Sequence, residues 1–281
     1  MKKLLTTKAL LVSAALGLTA CSPASKDSQV SYNSHNGSII NGTLIPKEDQ
    51  IAKVTVAIIG VTKDKTGLEN QFKCTGILYA ANVVLTAAHC VPVAPAGGKR
   101  AAFIIFDTDI NAASKETVRK VVDFAIHENW KKKMPESEGN SDFGMLKFEG
   151  EMPTGYEVGK FLAPDKHDIL SAESDIIVAG YGRIDDGTET PNDQLRKGHV
   201  KIAGLLNEKE IAFNQKDRNG VCSGDSGGPA FIEVDGQMLA WGIASRVSGP
   251  DENTYCSEWS FHGLIGTQQE FIDSAMAQFS K

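Results

Sequence analysis

The sequence predicts an all-β domain closed by one helix. Three observations carry that expectation. Apolar runs of four to eight residues recur from residue 39 onward. They are rich in β-branched residues, which suit a pleated sheet, and Gly, Asn and Asp punctuate them as in a barrel or a sandwich. Helical spacing appears at the end, where Phe271, Ile272, Ala275, Met276 and Phe279 share one face of an amphipathic helix over about 267–279.

The 281-residue chain opens on Lys2, Lys3 and Lys8 and an apolar run over residues 9–18. That run is too short to span a bilayer, so residues 1–20 read as a secretory signal. It ends in "LTAC" (18–21), which resembles a bacterial lipobox and predicts a lipid on Cys21. Cysteine arithmetic agrees. The chain has five Cys, and assigning Cys21 to lipid leaves four, enough for two disulfides in an oxidising compartment. Without residues 1–20 the balance is 26 basic against 35 acidic residues, a net −9. Such a surface argues against nucleic acid or anionic lipid as the main partner, so the expected membrane link is the lipid alone. Residues 21–38, rich in Ser and Asn, read as a lipidated tether.

The domain proper is expected over 39–281, with strands at "KVTVAIIG", "TGILYAANVVLTAA", "AAFIIF", "RKVVDFAI", "DIIVAGYG", "HVKIAG", "GPAFIEV" and "MLAWGIAS". Three local motifs interrupt these runs. "LTAAHC" (85–90) ends a strand with His89 beside Cys90, "SDFGMLKF" (141–148) sets Asp142 just before a strand, and "VCSGDSGGPAF" (221–231) surrounds Ser226 with small residues. A serine hydroxyl holds its proton at neutral pH. It becomes a nucleophile when an imidazole takes that proton and a carboxylate fixes the imidazole's tautomer. Gly224 leaves its backbone N–H unhindered, so the N–H groups of Gly224 and Ser226 are the candidate oxyanion hole.

"TAAHC", "GDSGGP" and the order His, Asp, Ser resemble the trypsin/chymotrypsin family of serine endopeptidases over residues 39 to about 279. The resemblance implies two packed six-stranded antiparallel β-barrels, one over about 39–160 and one over about 161–265, with the triad His89, Asp142 and Ser226 in the cleft between them. It implies disulfides Cys74–Cys90 and Cys222–Cys256, protein or peptide substrates and a monomer. No cofactor is expected, and no metal-ligand spacing links the His and Cys residues. The other function class is a catalytically silent surface-binding protein with the same fold.

In trypsin-like members an Asp six residues before the nucleophile binds Arg or Lys; here that position is Gly220. A floor without charge does not offset the desolvation of a cation. The family stretch "GIVSWG" matches "GIASRV" (242–247), which sets Ser245 near Asp142 and makes Val247 narrow the pocket, with Ser260 on the opposite wall. A second register, "AWG" (240–242) on "SWG", keeps the Trp. The first favours small uncharged side chains before the cut bond, and a runner-up preference for Glu or Asp would use Arg246 or His262 as the cation. Finally, "IING" (39–42) resembles the family's activation motif. It implies that cleavage after Ser38 frees an Ile39 ammonium to pair with Asp225.

Overall fold

The β-branched runs become the strands of two closed barrels. The structure, a computed structural model, describes residues 39–131, 141–172, 174–184, 192–206, 208–216, 219–251 and 254–281. The expected signal, Cys21 and the tether lie outside them. A short β1 (Thr43–Leu44) precedes the first barrel, which comprises β2 (Thr55–Lys63), β3 (Glu69–Ala80), β4 (Val83–Thr86), β5 (Lys99–Ile105), β6 (Val118–Ile126) and β7 (Gly144–Phe148). They close in the order β2-β3-β4-β7-β6-β5, and a four-residue helix α1 (Glu128–Lys131) follows β6. Val56, Ile58, Ile77, Leu85, Ile104, Leu146 and Phe148 fill the interior. This is the alternation that sets one face of each strand inward.

After β8 (Lys160–Phe161) comes the second barrel: β9 (Asp175–Gly180), β10 (Arg196–Leu206), β11 (Glu210–Asn214), β12 (Pro229–Val234), β13 (Gln237–Ser248) and β14 (Trp259–Leu264). The order β10-β11-β14-β13-β12-β9 is closed by the antiparallel pairing of β9 with β10. The sequence reading flagged neither β11 nor β14. β11 opens on a Glu, and β14 turns a Ser and a His inward, so neither displays an uninterrupted apolar face.

Chain segments cross between the barrels. Residues 39–44, expected with the first barrel, join the second. β1 pairs with β10, Ile40 bridges to Gly220, and the Ile39 side chain is fully buried in the second core. Residues 160–161, at the expected boundary, pair in parallel with β13. The terminal helix α2 (Gln269–Phe279) returns to the first barrel, where Ile272, Ala275 and Phe279 join its core and Lys147 Nζ donates to the Phe279 carbonyl. It starts two residues later than expected because Ile265–Gln268 form a 3₁₀ turn. Tyr181, fully buried, donates its hydroxyl to the Asp107 carbonyl at 2.8 Å. Among the described residues no helix is long and apolar enough to cross a membrane.

Candidate active site

The first barrel contributes a histidine and an aspartate. β4 ends at Thr86, a 3₁₀ turn Ala88–Cys90 follows, and a Cys74–Cys90 disulfide ties that turn to β3. The His89 side chain stays 35% exposed while Asp142, beside β7, is 2% exposed. Asp142 Oδ1 accepts the His89 backbone N–H at 3.0 Å, and Oδ2 lies 2.8 Å from His89 Nδ1. Oδ2 also accepts the Ser245 hydroxyl at 2.8 Å. A carboxylate only accepts, so the imidazole proton resides on Nδ1 and Nε2 presents its lone pair. The sulfurs of Cys74 and Cys90 and a ring nitrogen of His89 lie within 4.8 Å of one another. Both sulfurs are oxidised in the disulfide and offer a metal no thiolate.

The second barrel contributes the Ser226 loop. Asp225 N–H donates to the Cys222 carbonyl at 3.0 Å, closing a turn whose third residue, Gly224, has φ +98°. That position of a type II turn needs a positive φ, which Gly adopts without strain. Thr75 of β3 then holds the loop. Its hydroxyl donates to the Gly224 carbonyl and its N–H to the Ser226 carbonyl, both at 2.9 Å. With those carbonyls engaged, the N–H groups of Gly224 and Ser226 take no acceptor among the described residues. Between these residues the Ser226 hydroxyl makes no hydrogen bond to His89. Such bonds often tighten only with substrate bound.

Asp225 is fully buried. Its carboxylate accepts Gly182 N–H at 2.7 Å and Cys222 N–H at 2.9 Å, and a Cβ on Gly182 would sit 2.4 Å from it. Burial pushes its pKa up to about 7, outweighing those two bonds and the attraction of Lys73. No ion pair reaches it among the described residues.

Beside Ser226 lies a cavity of 130 Å³, lined among others by Val221, Ala244, Ser245, Arg246 and Val247. Ser245 and Val247, named from "GIASRV", are among these lining residues, and Trp241 of the second register is fully buried in the barrel core. The Cys222–Cys256 disulfide braces the wall. Beneath Gly220 is Gln215, which sequence reasoning missed. Its amide nitrogen donates to the carbonyls of Val221 and Cys256 and its oxygen accepts Val221 N–H, so all of this neutral group faces backbone. No charge or motif marks it in the sequence. Ser260 is opposite Val247 across β13 and β14, 1% exposed.

The two cations named for the acidic-substrate reading sit in different surroundings. Arg246 makes a bidentate pair with Glu210, itself buried, with the second contact at 2.8 Å, and stacks on Phe261 at 4.3 Å. Burial lowers the His262 pKa to about 3. Trp130 of α1, half exposed, lies 6.4 Å from the His89 ring, a neighbour that no motif signalled.

Comparison with known proteins agrees with this geometry. The family model described as Trypsin matches residues 22–258. The chain is 26% identical to Proproteinase E of Bos taurus over 197 residues, 64% of this chain and 75% of that one. It is 27% identical to Chymotrypsin-like elastase family member 3B of Macaca mulatta over 198 residues, 64% of this chain and 74% of the relative. With Serine protease SP24D of Anopheles gambiae the identity is 25% over 175 residues, 58% of this chain and 59% of that protein's length. The chain belongs to the trypsin family of serine-type endopeptidases.

Proposed function

We propose that the chain is an exported endopeptidase in which Ser226 is the nucleophile, His89 the general base and Asp142 the residue that fixes its tautomer. The observation that carries this reading is the Asp142 carboxylate, which takes His89 Nδ1 and Ser245 Oγ on one oxygen and the His89 backbone on the other. As Ser226 Oγ bonds to the scissile carbonyl carbon, Nε2 takes the hydroxyl proton, and the oxyanion receives the free N–H groups of Gly224 and Ser226. The C–N bond then breaks, the imidazolium gives that proton to the departing amine, and water repeats the sequence to release the acid. Gly220, Ser245, Val247 and Ser260 favour a small uncharged side chain before the cut. A fluorophosphonate tests the chemistry, since it needs a working Ser–His pair. Labelling of Ser226 is expected, and an unlabelled mature protein overturns the assignment.

The activation reading draws on two observations. Asp225 is a buried carboxylate without a cation among the described residues. Ile39 has φ +55°, a strained conformation for a β-branched residue, costing about 1–3 kcal/mol. The first residue of a chain has no φ, so a cut before Ile39 removes that strain and creates the ammonium that Asp225 lacks. We infer that the signal at 1–20 exports the chain and that lipid on Cys21 holds it. The enzyme then cuts itself in trans after Ser38. Both disulfides lie within 74–256, so the cut also releases it from the lipid. The Ser226→Ala precursor should stay intact and membrane-bound. Clipping of that variant in a purified system rules out self-activation.

A further inference from the structure

Seven buried side-chain polar atoms lack a hydrogen-bond partner among the described residues, and four of them cluster: Trp241 Nε1, Ser260 Oγ and both ring nitrogens of His262. All three residues are 0–1% exposed. They surround Phe213, which pairs with Ser260 across β11 and β14 and whose ring lies 4.9 Å from His262 and 5.9 Å from Trp241. Buried polar groups in folded proteins are almost always partnered, so a cluster of four needs an explanation.

Its position supplies one. Ala244 and Val247 line the cavity beside Ser226, and their direct cross-strand partners are His262 and Ser260. Directly paired residues project to the same face with their Cβ atoms about 5 Å apart. Val221, another lining residue, shares the core that contains Phe213 and Trp241. His262 and Ser260 thus share the sheet face of two residues that line the cavity and sit directly beside them.

Resting on the endopeptidase reading above, we propose that the back of this pocket recognises an uncharged hydrogen-bonding side chain, a hydroxyl or a carboxamide, on the residue before the scissile bond. A neutral imidazole offers one donor and one acceptor, a serine hydroxyl offers both, and an indole offers a donor. A hydroxyl or an amide matches that set. A carboxylate could take the three donors, but it leaves the imidazole's acceptor unmatched and buries its charge against a neutral His262. An ammonium or guanidinium only donates and finds no carboxylate, because Glu210 is held by Arg246 and Gln215 is saturated by backbone. An aliphatic side chain of equal size fits the space but leaves the four atoms unpaired. A site built to hydrogen-bond its substrate rejects such isosteres more strongly than an apolar pocket rejects an added hydroxyl. The residue at the proposed activation junction, Ser38, carries a hydroxyl.

The test compares peptides that differ only at that residue: Thr against the isosteric Val, Gln against Met, and Glu. For the active enzyme, kcat/KM for Thr should exceed that for Val by at least about tenfold, Gln should exceed Met, and Glu should be poorest. His262→Phe should bring the Thr/Val ratio toward one. Val equal to or better than Thr, or Glu best of all, overturns the proposal. A binding arm removes the dependence on turnover. Titration calorimetry of the full-length Ser226→Ala protein with product peptides ending in Thr or Val should show the same preference. Thr preferred by a chain that hydrolyses nothing supports the pocket and sinks the endopeptidase reading. Equal binding of the two peptides sinks the pocket whatever the enzyme does.

Discussion

The two barrels share a strand count and a closure but treat buried polar groups differently. In the first, Thr75, Thr86, Asp107 and Asp142 are buried and each has a partner; Thr55 Oγ1 is the orphan. In the second, Arg196, Trp241, Ser260 and His262 carry orphaned atoms, and Asp225 is a buried carboxylate without a counterion among the described residues. The first barrel is therefore a finished scaffold. It orients His89 through bonds already made. On the proposals above, the second contains groups whose partners arrive later, an ammonium after a cut and a substrate side chain during catalysis. An apolar interior secures stability, whereas unmatched polarity inside a barrel marks where binding is still to come.

The sharpest break acts on the finished side. Asp142→Asn should keep the fold but disturb the hydrogen bond that fixes the imidazole tautomer. A fall in kcat of about 10⁴-fold is expected on the basis of triad energetics, with a thermal midpoint close to the parent's. A fall under tenfold would mean that Asp142 is only a structural anchor for the 89 turn.

The next break acts on an ion pair of the second barrel whose carboxylate is buried. Arg246→Met removes the paired cation from a buried Glu210, and stability should drop by about 3 kcal/mol in denaturant unfolding. Replacing both partners by Met should recover most of that loss, because two well-packed apolar groups do not carry the desolvation cost. A double variant no better than the single would show that Glu210 is held mainly by other groups.

The same contrast decides what was legible in the sequence. The first barrel's strands alternate cleanly, and "TAAHC" and the Asp142 strand announce themselves because their polar residues sit at strand ends. "GDSGGP" is legible because the sharp turn and the open N–H groups need small residues at fixed offsets. β11 and β14 escaped because Glu210, Ser260 and His262 point inward, which inverts the pattern that marks a strand. Gln215 and the Glu210–Arg246 pair were illegible for a related reason. Gln215 is matched by the backbone of Val221, six residues on, and of Cys256, and Arg246 by the distant Glu210, and no strand or helix period reports such matches. The placement of residues 39–44 on the second barrel depends likewise on Ile39 finding a core that lies more than a hundred residues ahead.

Asp225 sharpens the comparison through pH. Its folded pKa, about 7, lies above the ordinary 3.8. Between those values the folded precursor retains a proton that the unfolded chain has lost. Precursor stability should therefore be greatest near pH 4, decline as pH rises toward 7, and level off above it. Asp225→Asn should flatten that slope. In the form cut before Ile39, pairing with the new ammonium lowers the carboxyl pKa, so the decline should vanish without any substitution. Chemical unfolding at pH 4, 5.5 and 7 on the three proteins measures this. A slope that persists in the cut form means that the ammonium does not reach Asp225.

The smallest effect tests the contrast most directly. His262→Phe replaces two unpartnered ring nitrogens with carbon in a site already lined by Phe213 and Trp241. An imidazole buried without partners carries a desolvation penalty that an apolar ring avoids. Phe is somewhat larger, and overpacking opposes the gain. The expected net is a change within about 1 kcal/mol, on the stabilising side, read as a small rise in the denaturation midpoint at unchanged slope. An aromatic introduced at a first-barrel position with a satisfied polar group, Thr75→Phe, should instead be strongly destabilising, because it breaks the hydroxyl's bonds to the Gly224 carbonyl and the Tyr181 N–H together. If His262→Phe costs as much as Thr75→Phe, the imidazole has partners inside the barrel, and the second barrel is as complete as the first.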